Sequence, residues 1–425
     1  MNTYATQETL TASLKHKSRA RWVATWAKAK ILQRLCKLQR GQLTIIDGAE
    51  KHIFGCHAGT SSINVTIHVH DARFYGEIAF GGSIGAGEAY MLGYWTTDNL
   101  TEVIRLMCIN QSVMDTLEGG YQWLTRPLLK VLHWLNSNTT EGSRKNIAAH
   151  YDLGNDMFAL FLDPTMMYSS AMFNAETNTL QAASELKLKT ICDKLDLKPG
   201  DHVIEIGTGW GGFAIYAASH YGCQVTSTTI SKQQFELAKM RVSAAGLDDK
   251  VTLLLEDYRH LQGQYDKLVS IEMVEAVGYQ FYDTYFSKVS KLLKPDGLAL
   301  IQAITIADQR YENAKSSVDF IQRYIFPGSC IPSNTAMLNS ITKVSDLRLF
   351  DLEDIGPHYA TTLKLWRENF FKHIFEVRKL GYSEEFIKMW EFYLCYCEGG
   401  FAERALGDVH LLLAKPDNRR AGLNH

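Results

Sequence analysis

The run from Val203 to Ala214, V-I-E-I-G-T-G-W-G-G-F-A, constrains this chain more than any other stretch. Residues that favour extended backbone end on a glycine cluster that opens into helix-forming residues. That order predicts a strand, a tight turn and a helix N-terminus. Gly207 and Gly209 let the main chain turn sharply and let a ligand approach it more closely than side chains would permit. Loops of this kind also serve dinucleotides, so the glycines alone are ambiguous. Two features separate the cases. The spacing G-T-G-W-G-G departs from the G-x-G-x-x-G that a pyrophosphate requires, and Glu205 stands on the strand just before the first glycine. A carboxylate there suits a cation and repels a diphosphate. Glu205, Gly207, Gly209 and Gly211 therefore point to the aminoacyl and sulfonium end of S-adenosylmethionine.

Around this loop, short apolar runs alternate with helical segments. Strands are predicted at His202–Ile206, Gln224–Thr229, Val251–Leu255, Lys267–Ile271 and Leu298–Ile304, with helices at Gly212–Ser219 and Gln233–Ala245 among them. The pattern predicts an α/β fold with a doubly wound, Rossmann-like parallel sheet. Two late strands, Leu347–Asp354 and Asp408–Lys415, would add the final antiparallel pair of a seven-stranded class I methyltransferase sheet. In such sheets the second strand usually ends in an acid that holds the ribose. Here it ends Thr228-Thr229-Ile230-Ser231, so neutral groups such as Thr229 and Gln234 must serve. After the third strand, Glu256 and Asp257 stand where an acid conventionally receives the adenine amino group.

The chain of 425 residues has room for two domains. Residues 1–135 are expected to form a smaller α+β unit that docks on lipid or membrane, 136–149 a polar linker, and 150–425 the catalytic domain. Within the first unit, Ile63–His70 and Arg73–Phe80 look strand-like, a glycine-rich Gly81–Gly87 follows, and Leu100–Met107 should be helical. From Met1 to Ile46 nine basic residues face the single acid Glu8, with Trp22, Trp26, Ile31, Leu32, Leu35 and Leu38 interleaved. This composition suits an anionic lipid surface. A solvated helix packed on its own domain explains it equally well. Nothing supports nucleic acid as a partner. Eight cysteines are scattered without CxxC pairs, so reduced thiols of a cytoplasmic protein are expected, and no metal site. No apolar run reaches the length of a membrane span, and the N-terminus lacks the pattern of a secretory signal.

Long motifs narrow the substrate. H-Y-D-L-G-N-D-M-F-A-L-F-L-D-P-T-M-M-Y-S-S-A-M-F (His150–Phe173) is followed in order by S-I-E-M-V-E-A-V-G (Ser270–Gly278), Y-D-T-Y-F (Tyr282–Phe286) and Y-I-F-P-G (Tyr324–Gly328). I-G-P-H-Y-A-T-T-L (Ile355–Leu363) and F-A-E-R (Phe401–Arg404) complete the set. From about residue 85 to 416 the chain resembles the cyclopropane-fatty-acyl-phospholipid synthase and mycolic acid methyltransferase family. The resemblance implies transfer of a carbon from S-adenosylmethionine to the cis double bond of an unsaturated acyl chain in phospholipid. It implies that Tyr168 and Ser169, the stretch Val203–Gly211, Thr229 to Gln234, and Glu256 with Asp257 contact the donor.

The resemblance also implies a bound bicarbonate as the base, held by Ser170, Glu275, Gln302, Ile304 and Tyr359. Contacts from Ser170 and Ile304 would be made by the backbone. Two positions depart from the family pattern, which has cysteine at 170 and histidine at 302; a glutamine there holds an anion less firmly. Loss of a proton from the donated carbon closes a cyclopropane. Loss from a neighbouring chain carbon, or a hydride shift followed by reduction, gives a methylene or methyl-branched chain. Aromatic faces such as Phe173, Tyr282 and Tyr324 are candidates to stabilise the intervening cation. A methyltransferase for a polar small molecule and a non-catalytic lipid-binding relative remain as other readings. A homodimer and peripheral attachment to the inner membrane from the cytoplasmic side are also expected from the resemblance.

Overall fold

A computed structural model describes residues 24–56, 62–113 and 154–422. The linker at 136–149, the start of the long signature at His150 and the tryptophan at 22 lie outside the described residues. The described chain divides into two compact units, one from its N-terminal part together with Ser383–Gly399, the other from the remainder. Residues 383–399, which the sequence division places with the catalytic half, thus belong to the N-terminal unit.

In that first unit, β1 (Gly41–Asp47), β2 (Glu50–Cys56), β3 (Asn64–Val69) and β4 (Trp95–Thr97) form a sheet in the order β2-β1-β3-β4. A helix over 24–35 precedes it. Ala27, Ile31 and Leu35 form its buried stripe, Leu38 just beyond it is buried too, Trp26 stacks on Phe80 at 6.3 Å, and Lys28 pairs with Asp47 and Glu50. The described part of the basic segment is therefore a helix packed on its own unit. Lys30 and Lys37 remain exposed.

Arg73–Phe80 is not a strand. Arg73–Met91 is helical with a kink at Gly82, whose φ is 55°. Gly85 comes so close to the earlier turn that an added Cβ would lie 2.0 Å from the Glu77 carbonyl oxygen. The glycines that look like a loop in the sequence let two helical halves fold against each other. This close approach outweighs the β preference of the aromatic residues before it.

The second unit is a seven-stranded sheet built from β5 (His202–Ile206), β6 (Gln224–Thr229), β7 (Val251–Leu255), β8 (Tyr265–Ile271), β9 (Leu293–Ile306), β10 (Arg348–Asp354) and β11 (Leu406–Ala414). Their spatial order is β10-β11-β9-β8-β5-β6-β7. β5 to β9 run parallel, and β11 is antiparallel to both β9 and β10. The strand positions and the class I methyltransferase topology agree with the sequence reading.

Alternation of side chains across the pleat explains why these strands read as unbroken apolar runs. Val203, Val225, Val269, Leu300 and Leu412 pack on one face with Leu188, Ile191 and Phe213. Their neighbours Ile204, Leu268, Ile301, Leu411 and Leu413 pack on the other with Tyr285, Phe286, Val289 and Ile341. With helices on both faces, a ligand finds open backbone only at the carboxyl ends of the parallel strands.

Candidate active site

At the carboxyl end of β5 the glycine loop adopts the backbone that the sequence requires. Gly207, Gly209 and Gly211 have φ of 102°, 50° and 86°. A Cβ added to Gly209 would meet nothing within 4 Å, so the loop borders open space. Glu205, just before it, is buried, with Ser227 Oγ donating to its Oε2. Burial pushes the Glu205 carboxyl up to about 8. A desolvated acid beside an open glycine loop fits the cationic end of a sulfonium donor, which would return to it the charge stabilisation that water no longer gives.

The other cofactor positions fall around the same strand ends. Thr229 Oγ1 donates to Gln234 Oε1 at 2.8 Å, and both side chains are buried. Asp257 is held by Arg259 through bonds of 2.8 and 2.6 Å, which keep its carboxyl below the usual range despite burial. Glu256, half-buried beside it, is the acid of the pair without that guanidinium clamp. Ser169 Oγ accepts from Lys187 Nζ at 2.7 Å. The Tyr168 ring lies among Phe158 at 5.1 Å and Trp366 at 5.2 Å. Trp366 meets the edge of Tyr359 at 5.9 Å, and Tyr359 packs on Phe401 at 4.5 Å. An aromatic row thus links the proposed donor side to the proposed base.

Of the five positions named for the anion, three converge on one side chain of the protein and the other two bond to each other. The Ser170 N–H donates to Glu272 Oε1 at 2.8 Å, Gln302 Nε2 donates to the same oxygen at 2.8 Å, and the Tyr359 hydroxyl donates to Glu272 Oε2 at 2.7 Å. Gln302 Nε2 also reaches Asp408 Oδ2 at 2.9 Å. The Ile304 N–H donates to Glu275 Oε1. Every donor expected to hold bicarbonate therefore already serves a carboxylate of this chain, so the arrangement does not fit a further anion.

Glu272, Asp408, Lys187 and His410 were absent from the sequence reading. Two signals were present: a second acid three residues before Glu275, and an acid and a histidine alternating with apolar residues in D-V-H-L-L-L. Glu272 has a φ of 47°. A non-glycine residue there costs roughly 1–2 kcal/mol, a strain typical of functional positions. Burial pushes Glu275 up to about 8, with the Glu272 charge adding to the effect. Burial raises Glu272 and Asp408 as well. Bonds from Ser170 and Tyr359 and the nearby Lys187 favour ionised Glu272, whereas Glu272 itself disfavours ionised Asp408. The charge of this pair therefore rests on Glu272 and the proton on Asp408. Burial brings Lys187 down to about 8 and holds His410 neutral.

Because Glu205 sits near 8, it is protonated at pH 7 and becomes ionised when a cation settles against it. Calorimetry of S-adenosylmethionine binding at pH 7 should show release of up to about one proton, with heats that vary with buffer ionisation enthalpy. Glu205→Gln should abolish that variation; buffer-independent heats in the unsubstituted protein would contradict the placement.

The mycolic acid cyclopropane synthetase family model matches residues 138–411. The tuberculostearic acid methyltransferase UfaA1 of Mycobacterium tuberculosis is 42% identical over 329 residues, covering 75% of this chain and 76% of that protein. The cyclopropane-fatty-acyl-phospholipid synthase of Escherichia coli K12 is 39% identical over 348 residues, covering 80% and 85%. Among solved structures, a cyclopropane synthase from Mycobacterium tuberculosis superposes with a TM-score of 0.60 at 31% identity, covering 64% of this chain and 98% of that one. A mycolic acid cyclopropane synthase solved with SAH and CTAB gives a TM-score of 0.58 at 29% identity, with the same coverage. Sheet order, glycine loop and these matches agree: the chain belongs to the mycolic acid cyclopropane synthetase family, and it is an S-adenosylmethionine-dependent methyltransferase.

Proposed function

We propose that the protein transfers one carbon from S-adenosylmethionine to the cis double bond of an unsaturated fatty acyl chain in phospholipid, closing a cyclopropane. The observation that carries this reading is the desolvated carboxylate cluster at the ends of β8, β9 and β11, beside the glycine loop of β5. S-adenosylmethionine supplies an electrophilic methyl group when bound. Glu205 and the loop from Gly207 to Gly211 would hold its charged end, Thr229 and Gln234 its ribose, Glu256 its adenine, and Tyr168 and Ser169 the flank towards the substrate.

An isolated alkene is a weak nucleophile, so alignment in a water-free site has to supply much of the acceleration. Attack leaves a cation on the acyl chain. Tyr168, Trp366 and Tyr359 form an aromatic row suited to face it, worth about 2 kcal/mol when desolvated. Of the rings expected for this role, Tyr282 is tied by its hydroxyl to the Cys330 carbonyl at 2.6 Å and Tyr324 packs on Phe320 at 5.1 Å. Methylation without ring closure is the second reading, favoured by the departure of the base site from the family pattern.

Lipids from cells expressing the protein, fed unsaturated fatty acid and labelled methionine, distinguish the two by mass spectrometry. A labelled gain of one CH2 that resists hydrogenation is expected. A labelled chain that still takes up hydrogen, or one saturated and branched, would favour methylation; no labelled lipid would refute both.

The lipid substrate implies contact with a membrane, and no described helix is long and apolar enough to cross one. We infer peripheral attachment to the cytoplasmic face of the inner membrane through the basic N-terminal segment, in a protein that forms homodimers. Deleting residues 1–46 is a poor test, because it removes most of β1 from the middle of its sheet. Exchanging the exposed Lys30 and Lys37 for glutamine leaves the buried stripe intact. At about 1 kcal/mol per charge near an anionic surface, the double variant should bind anionic vesicles roughly tenfold or more weakly at low salt. Unchanged vesicle binding would remove this surface from consideration.

A further inference from the structure

We propose that the Glu272 carboxylate occupies the seat of the external anion expected in this family, and that Glu272 itself takes the proton from the alkylated acyl chain. The inference rests on the reading of one-carbon transfer to an acyl double bond.

Three donors from three separate segments of chain meet on one carboxylate: the Ser170 N–H, the Gln302 amide and the Tyr359 hydroxyl. These are the groups, at the same positions, that were expected to grip bicarbonate. A carboxylate presents the same planar pair of oxygens as bicarbonate, so it can use an anion site without rebuilding it. The backbone of Glu272 is fixed for the purpose. Its N–H donates to the Gln302 carbonyl at 2.8 Å, and its φ of 47° turns the chain at the end of β8. Gln302, joined to both Glu272 and Asp408, explains why glutamine stands at this position. Its one NH2 group bridges two carboxyls, a geometry that an imidazole nitrogen cannot reproduce.

Asp408 keeps its proton and Lys187 supplies the nearby positive charge, so Glu272 is the member of the cluster able to accept. In the reaction, the π pair of the alkene forms a bond to the donated methyl carbon, and the C–S bond breaks with its pair passing to sulfur. A Glu272 oxygen then removes a proton from the donated carbon, and the freed C–H pair closes the ring onto the cationic chain carbon. Transfer of that proton to water restores the carboxylate. No additional reactant is needed.

The test compares full-length wild type, Glu272→Gln and Glu272→Gly in buffer freed of carbon dioxide and in buffer with added 13C-bicarbonate. Labelled-methyl transfer to unsaturated phospholipid vesicles and 13C NMR of bicarbonate binding are read together. Wild type should work at about the same rate in both buffers and bind no bicarbonate. Glu272→Gln should lose roughly 100-fold or more in rate while binding S-adenosylhomocysteine normally. Glu272→Gly, which suits the left-handed backbone, should bind bicarbonate. A wild type that binds bicarbonate and stalls without it overturns the inference, as does Glu272→Gln working near the wild-type rate. If wild type labels no lipid, the functional reading fails. The NMR comparison of wild type with Glu272→Gly still decides whether Glu272 fills the seat.

Discussion

Three carboxyl groups withdrawn from water at the carboxyl end of one sheet set the terms for the rest of this molecule. Isolated, each would be driven to neutrality by the penalty on a buried charge. Glu272, Glu275 and Asp408 are instead divided by their hydrogen bonds. Glu272 gathers the donors and the charge, Asp408 retains a proton, and the Glu275 carboxyl accepts from the Ile304 backbone. The arrangement requires donors from Ser170, β9 and the helix Gly356–Lys372 to arrive together. It therefore depends on the long-range register of the sheet. The pairing of Gln302 with His410 and of Ile304 with Asp408 across β9 and β11 is the part of that register that assembles the cluster.

Glu205 applies the same physics at the neighbouring strand end. It is a buried acid that accepts from a hydroxyl, poised for a cation from outside. The proposed donor seat and the proposed base are thus both desolvated carboxylates at the ends of adjacent parallel strands, β5 and β8. The aromatic row between Tyr168 and Tyr359 offers polarisable faces and no strong nucleophile that would compete with the alkene.

The strand–loop–helix at 203–214 could be read from sequence because its determinants are local: β-favouring residues, then glycines at positions of positive φ. The sheet strands were equally plain, since burial on both faces leaves continuous apolar runs. Arg73–Phe80 misled for the converse reason. Its local composition favours a strand, whereas the chain forms a helix that runs on through a kink at Gly82 and brings Gly85 close to Glu77. Glu272 was overlooked although it lies within a recognised motif. Nothing in S-I-E-M-V-E says which acid turns inwards, and its partners come from positions 170, 302 and 359. Asp408 and His410 lay within a predicted strand with no role assigned, because their partners come from β9, far away in the sequence. Gln302 looked like a weakened histidine when considered alone; with Asp408 and Glu272 on either side it is a bridge.

A crystal structure with bound S-adenosylhomocysteine, at a resolution that separates a carboxylate from a small triangular anion, would test the account most directly. The prediction is that the amino-acid end of the ligand lies against Glu205 and the glycine loop, and that the density between Ser170, Gln302 and Tyr359 is continuous with the Glu272 side chain. Isolated bicarbonate in that density, with Glu272 turned away, would contradict it.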